Sequence, residues 1–113
     1  KAIDIIIDSI QDIKGKNIVK LDLRKIEDST TDHFIICEGE SIVQVKAISD
    51  QIQKRIREEL GIRPSHVEGE RTAHWILIDY FDTVVHVFYP ETRAFYELED
   101  LWSDAIKETY SDD

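Results

Sequence analysis

"AHWILIDYFDTVVHVFY", residues 73 to 89, is the stretch that decides the fold. Two runs rich in β-branched and aromatic side chains, "AHWILIDY" and "TVVHVFY", flank Phe81-Asp82. Runs of this composition on either side of a short turn predict an antiparallel β-hairpin. Side chains alternate along a strand, so Val84, His86 and Phe88 share one face and Val85, Val87 and Tyr89 the other. On the preceding strand Trp75 and Leu77 oppose Ile76 and Ile78. The nearly continuous apolar runs 75–78 and 84–88 predict central strands covered on both faces. Burying Phe88 or Trp75 contributes roughly 2–3 kcal/mol each, so most of these aromatics are expected to be structural.

Working outward, "AIDIIIDSIQDIK" (2–14) places Ile3, Ile6, Ile7, Ile10 and Ile13 at helical spacing, with Gly15 set to end the helix. "NIVKLDL" alternates as a strand, "DSTTD" has turn chemistry, and "HFIICEG" is a short apolar strand closed by Gly39. Ser41 and Gln44 match a capping box. Behind it Ile42, Val45, Ile48, Ile52, Ile56 and Leu60 form an apolar helical stripe, with Gly61 at the C-cap and Pro64 beyond. "SHVEG" is a brief extended segment, Pro90 ends the last hairpin strand, and helical turns are expected from about Glu91 to Glu108. The order α-β-β-α-β-β-β-α predicts one α/β domain over residues 1–113, a mixed sheet of about five strands with packed helices.

Composition narrows the function. A hydrophobic content of 42% with 34% charged residues is that of a globular chain. No apolar run approaches the ~18 residues of a membrane helix. Cys37 is the only cysteine, which makes a reducing cytoplasm the simplest compartment. The net charge of −10 argues against a nucleic acid as main partner. Only two of the 14 bases, Arg93 and Lys107, follow residue 71, against ten of the 24 acids. Such a one-sided field attracts basic proteins, although acidic surfaces also serve solubility alone.

Catalytic chemistry finds little support. His33, His66, His74 and His86 are widely spaced, and no metal-ligand pattern joins them. Cys37 sits in an apolar strand, where a buried inert thiol is the expected state. "EGES" (38–41) puts Gly39 and Ser41 between a strand and a helix start, where an anion can bind. Nucleotidyltransferases use a Gly-Ser pair there, but no D-x-D follows, and Glu38 and Glu40 repel phosphate. The simpler reading is that Gly39 makes the turn and Ser41 caps the helix. No catalytic residue, metal site or cofactor is expected.

The segment "TVVHVFYPETRAFYELEDLW" (83–102) mixes aromatics with acids. Phe95, Leu98 and Trp102 form one helical stripe, while Tyr96 and Glu99 project from neighbouring faces. One short helix cannot turn all of its apolar residues inward, so a surface for a basic protein is expected. The blocks "LDL" (21–23), "DHFIICEGES" (32–41), "VEGE" (67–70), "WILIDY" (75–80), "VVHVF" (84–88) and "RAFYELEDLW" (93–102) span nearly the whole chain. In this combination they resemble the ribosomal silencing factor family (RsfS, or Iojap).

The resemblance implies a protein that is not an enzyme, with a fold similar to nucleotidyltransferases whose catalytic residues are lost. It implies binding to the large ribosomal subunit through ribosomal protein L14, where the small subunit is blocked from joining and translation is repressed. It also implies a part in large-subunit assembly, and a homodimer when free. The partner-facing surface it implies falls on Trp75, His86, Tyr96, Leu98 and Glu99, with Arg93 and Asp79 beside them. His33, Glu40 and Phe81 depart from the family pattern. Phe81 replaces a usual glycine, and so bulky a residue argues against a left-handed turn position. The alternatives are a nucleotidyltransferase-like enzyme acting at Gly39–Ser41 and an acidic adaptor for another basic protein.

Overall fold

The computed structural model describes residues 1–112. Helix α1 (Ala2–Asp12) buries Ile6, Ile7 and Ile10, the inner part of the isoleucine stripe. Its end differs in detail from expectation. Lys14, at φ +64, takes the left-handed position, not Gly15. The Gly15 N–H instead reaches back to the Ile10 carbonyl (2.9 Å), and a Cβ at Gly15 would lie 2.3 Å from the Ile10 side chain. Glycine is needed there for closeness, not for its backbone angle.

Strands β1 (Lys16–Asp22) and β2 (His33–Glu38) follow, then helix α2 (Ile42–Leu60). Ser41 accepts from the Gln44 N–H at 3.1 Å, and the Gln44 side chain accepts from the Glu40 N–H at 2.6 Å. That closes the cap one residue earlier than a standard capping box. The same side-chain amide donates to the Ile13 and Lys14 carbonyls, tying the start of α2 to the end of α1. Gly61 ends α2 in the left-handed conformation (φ +67), as its place behind the stripe predicts.

Strands β3 (His66–Glu68), β4 (Trp75–Asp79) and β5 (Thr83–Phe88) come next, with the β4–β5 hairpin antiparallel as expected. Phe81, in its turn, adopts φ +73. The expectation that phenylalanine would avoid a left-handed turn is wrong. Hydrogen bonds from three segments hold this backbone in place: the Phe81 N–H donates to Asp79 Oδ1 (2.8 Å), Thr31 Oγ1 donates to the Phe81 carbonyl, and Tyr80 pairs with Thr83.

The C-terminal region also departs from expectation. The helix predicted through Glu108 is α3 (Pro90–Tyr96) and a single turn α4 (Leu98–Leu101), followed by strand β6 (Ile106–Tyr110). Glu97, at φ +47, separates the two helices and resets the helical phase. This breaks the predicted Phe95–Leu98–Trp102 stripe: Leu98 is buried whereas Phe95 is 78% exposed. With β6 the sheet has six strands rather than about five, in the order β3-β4-β5-β2-β1-β6. The β2–β5 pair is parallel and the others are antiparallel, so the sheet is mixed.

Helices α1 and α2 cover one face of the sheet with the larger core, including Ile18, Ile35, Ile76, Val85 and Val87. On the other face Leu98 and Trp102 pack over Val19, Leu21, Ile36 and Phe88. This second cover is partial. It protects β1, β2 and the end of β5. Strand β4, expected to be buried on both faces, alternates between buried and half-buried residues.

Candidate functional site

The half-covered end of the sheet is the candidate site. Hairpin register pairs Leu77 with His86 and Asp79 with Val84, so Trp75, Leu77, Asp79, Val84 and His86 share one face. Leu77, Asp79 and Val84 are half-buried, and three adjoining concavities open over them. One of about 190 Å³ lies between Glu68, Gly69, Trp75 and Leu77. The next, about 260 Å³, reaches from Leu77 and His86 to Phe34 and Trp102. The third, about 440 Å³, runs past Asp79 and Val84 to Phe81. The result is an apolar strip of sheet rimmed by carboxylates.

Aromatic packing makes the strip rigid. Trp75 stacks on Phe88 with ring centres 4.8 Å apart, and the Tyr96 ring lies tilted to it at 5.0 Å. Trp75 Nε1 donates to His86 Nδ1 at 3.1 Å, which leaves the histidine proton on Nε2. Phe34 meets the His86 ring edge-on at 4.6 Å and Trp102 at 5.5 Å. Nε2 itself is buried without a hydrogen-bond partner. Burial lowers the His86 pKa to about 3, so the ring is neutral at physiological pH. Its work is to hold Trp75 in one orientation.

The other residues named from sequence lie beneath or beside this strip. Arg93 is only 10% exposed at its side chain. Its guanidinium forks onto Glu99 (2.9 and 3.3 Å) and reaches Glu38 (3.1 Å) and the Asn17 carbonyl (2.7 Å). Asn17 is presented by a bulge in β1, where the register shifts between Lys16 and Val19. Burial alone would raise the Glu99 pKa, but hydrogen bonds and charge from Arg93 hold it below the usual carboxylate range. Leu98 is 8% exposed and belongs to the core under α4. Trp75, Asp79, His86 and Tyr96 therefore come together, while Arg93, Leu98 and Glu99 pin the segment that carries Tyr96.

Sequence reasoning left Phe34, Val84 and Phe81 out of the surface, and named Leu77 only as a strand neighbour of Trp75. Alternation along the hairpin already put Val84 and Leu77 on this face. Phe34 arrives through parallel pairing of β2 with β5, which no local pattern encodes.

The turn at Gly39 is structural. A Cβ there would lie 3.0 Å from the Val45 nitrogen, and the neighbouring Glu38 is occupied by Arg93. Burial raises the thiol of Cys37 to about 12, which removes it as a nucleophile.

Gly69 lies at the border of the open face, against the Trp75 backbone. It sits at φ +86, and a Cβ would lie 2.0 Å from the Trp75 carbonyl oxygen. Gly69→Ala is expected to lower stability by more than about 1 kcal/mol, read from urea denaturation.

Comparison with known proteins is consistent over the whole chain. The family model described as "Ribosomal silencing factor during starvation" matches residues 1–113. A protein of Halalkalibacterium halodurans named ribosomal silencing factor RsfS is 40% identical over 93% of this chain and 88% of its own. The Bacillus subtilis protein of the same name is 42% identical, covering 83% of this chain and 78% of its own. A crystal structure of a Chromobacterium violaceum protein superposes with a TM-score of 0.85 at 36% identity, over 90% of this chain and 83% of that one. More distantly, a mouse protein named for mitochondrial assembly of the ribosomal large subunit is 34% identical over 65% of this chain and 33% of its own. The chain belongs to the ribosomal silencing factor (RsfS) family.

Proposed function

We propose that this protein binds the large ribosomal subunit through ribosomal protein L14, blocks joining of the small subunit and so represses translation. The reading rests on one observation above all: the half-covered aromatic face of the hairpin, rimmed by carboxylates, in a chain of this family. An apolar strip with acidic borders suits a basic protein, and its rigid rings lose little conformational entropy on binding. Action is by occlusion rather than catalysis, in the cytoplasm. The name of the mouse relative favours a part in large-subunit assembly as well. When free, the protein pairs with a second copy, as the family resemblance implies.

Co-sedimentation with isolated large and small subunits at physiological salt tests this. The expected result is saturable binding to the large subunit and fewer joined ribosomes in the same gradients. Binding to many basic proteins alike, abolished by ~0.3 M salt, would indicate a nonspecific acidic adaptor and overturn the reading. Tyr96, at 51% exposure, separates contact from core. Tyr96→Ala is expected to weaken large-subunit binding by more than about 1 kcal/mol while stability changes by less than that.

A further inference from the structure

Phe81 combines two unfavourable features. Its φ of +73 is one that bulky L residues rarely adopt, and the residue is 71% exposed, so burial returns little of the strain. The surrounding chain nevertheless over-determines the conformation. Asp79 Oδ1 accepts from the Phe81 N–H, Thr31 Oγ1 donates to the Phe81 carbonyl, and the Asp82 carbonyl accepts from the Asp32 and His33 N–H groups. Strain maintained in this way is concentrated at binding sites. The ring is presented at the end of the apolar strip, in a concavity that shares Thr30, Thr31, Asp79 and Val84 with the one beneath His86.

The surrounding charge has one sign. Asp32, Asp79 and Asp82 line the concavity with Phe81, Asp28 lines the adjoining one, and no lysine or arginine lines either. Among the described residues none of these four carboxylates is in a salt bridge. An exposed ring beside unpaired carboxylates matches one group in particular. A guanidinium is planar and weakly hydrated, stacks on an aromatic face and forks to carboxylates, whereas an ammonium is a strongly hydrated point charge.

We propose that Phe81 is a specificity residue on which an arginine of the basic protein partner stacks, with Asp79 and Asp82 engaging its edges. This rests on the ribosomal reading and deepens it by naming the group recognised. The test is titration of wild type, Phe81→Gly and Phe81→Leu against isolated large subunits at physiological salt, with a urea midpoint for each protein. Glycine accommodates the positive φ, so Phe81→Gly is expected to keep or raise the midpoint while weakening binding about tenfold. Phe81→Leu retains apolar bulk without a π face and is expected to lose a similar factor. Wild-type affinity in either variant would overturn the proposal, as would a lowered midpoint in Phe81→Gly, which would make the ring a structural element. Failure of the wild type itself to bind large subunits would be a different result, one that removes the ribosomal reading and this inference with it.

Discussion

Acid is expected to destabilise this protein well above the carboxylate range, by about 1.4 kcal/mol for each pH unit below about 6. The cause is His86. Its pKa is lowered from 6.5 to about 3 by burial among Trp75, Phe34 and Phe88. Between those values the unfolded chain binds a proton that the folded chain refuses. The unfolded state therefore gains on acidification, and stability that is complete above pH 6.5 falls as pH approaches 3. Carboxylates act lower. Hydrogen bonds from Arg24 hold Asp22 below its ordinary 3.8, and Arg93, against the opposing effect of burial, holds Glu99 below 4.5. Their contributions are lost only as pH falls below those ordinary values, so the window from pH 6.5 to 4.5 separates His86 from these two carboxylates. Urea denaturation at several pH values across that window should show the slope, and His86→Phe should flatten it. An unchanged slope in the variant would assign the acid sensitivity elsewhere.

Arg93→Ala is expected to be the most destabilising single change of charge, costing about 3 kcal/mol or more. It strands Glu38 and Glu99, whose side chains are 16% and 21% exposed, and leaves the Asn17 carbonyl without its donor. The break falls where α3 and α4 are pinned to β1 and β2, so Tyr96 would lose its placement against Trp75. Arg93→Lys keeps the charge but not the fork, and an intermediate loss is expected. Calorimetric or urea midpoints for the two variants check this. A cost below about 1 kcal/mol for Arg93→Ala would reduce the cluster to an ordinary surface ion pair. Ribosome binding should fall in step with stability, in contrast to Tyr96→Ala.

The contrast between Arg93 and Tyr96 also marks how far the sequence can be read. Periodicity and caps reveal α1, α2 and the β4–β5 hairpin, because each is specified by residues within a few turns of one another. Strand β6 is hidden: "IKETY" is short, mostly exposed and preceded by acids that continue a helical pattern, and its strand character comes from β1. Glu97 breaks the helix without the glycine or asparagine that usually marks a left-handed residue. Alternation groups Trp75, Leu77, Val84 and His86 once the register is fixed, which made part of the proposed binding face legible. The Arg93 cluster is not legible, because it needs a β1 bulge and a parallel β2–β5 pair to bring Asn17 and Glu38 to one guanidinium. The chain there chooses between an interface arginine and a structural one by long-range topology alone.

Pairing of β1 with β6 has a kinetic consequence. In sequence all four of the other described strands lie between residues 18–22 and 106–110. Closing so long a loop costs more entropy than forming the hairpin or docking α1 on α2, so this ladder is expected to form late in assembly. Until it closes, β1 is a free edge whose backbone groups offer a template to any passing strand. Lys16 and Lys20 project from that edge, and Lys20 later meets Glu108 across the completed ladder at 3.4 Å. The same lysine that guards the unfinished sheet against the wrong chain thus helps to accept the right strand.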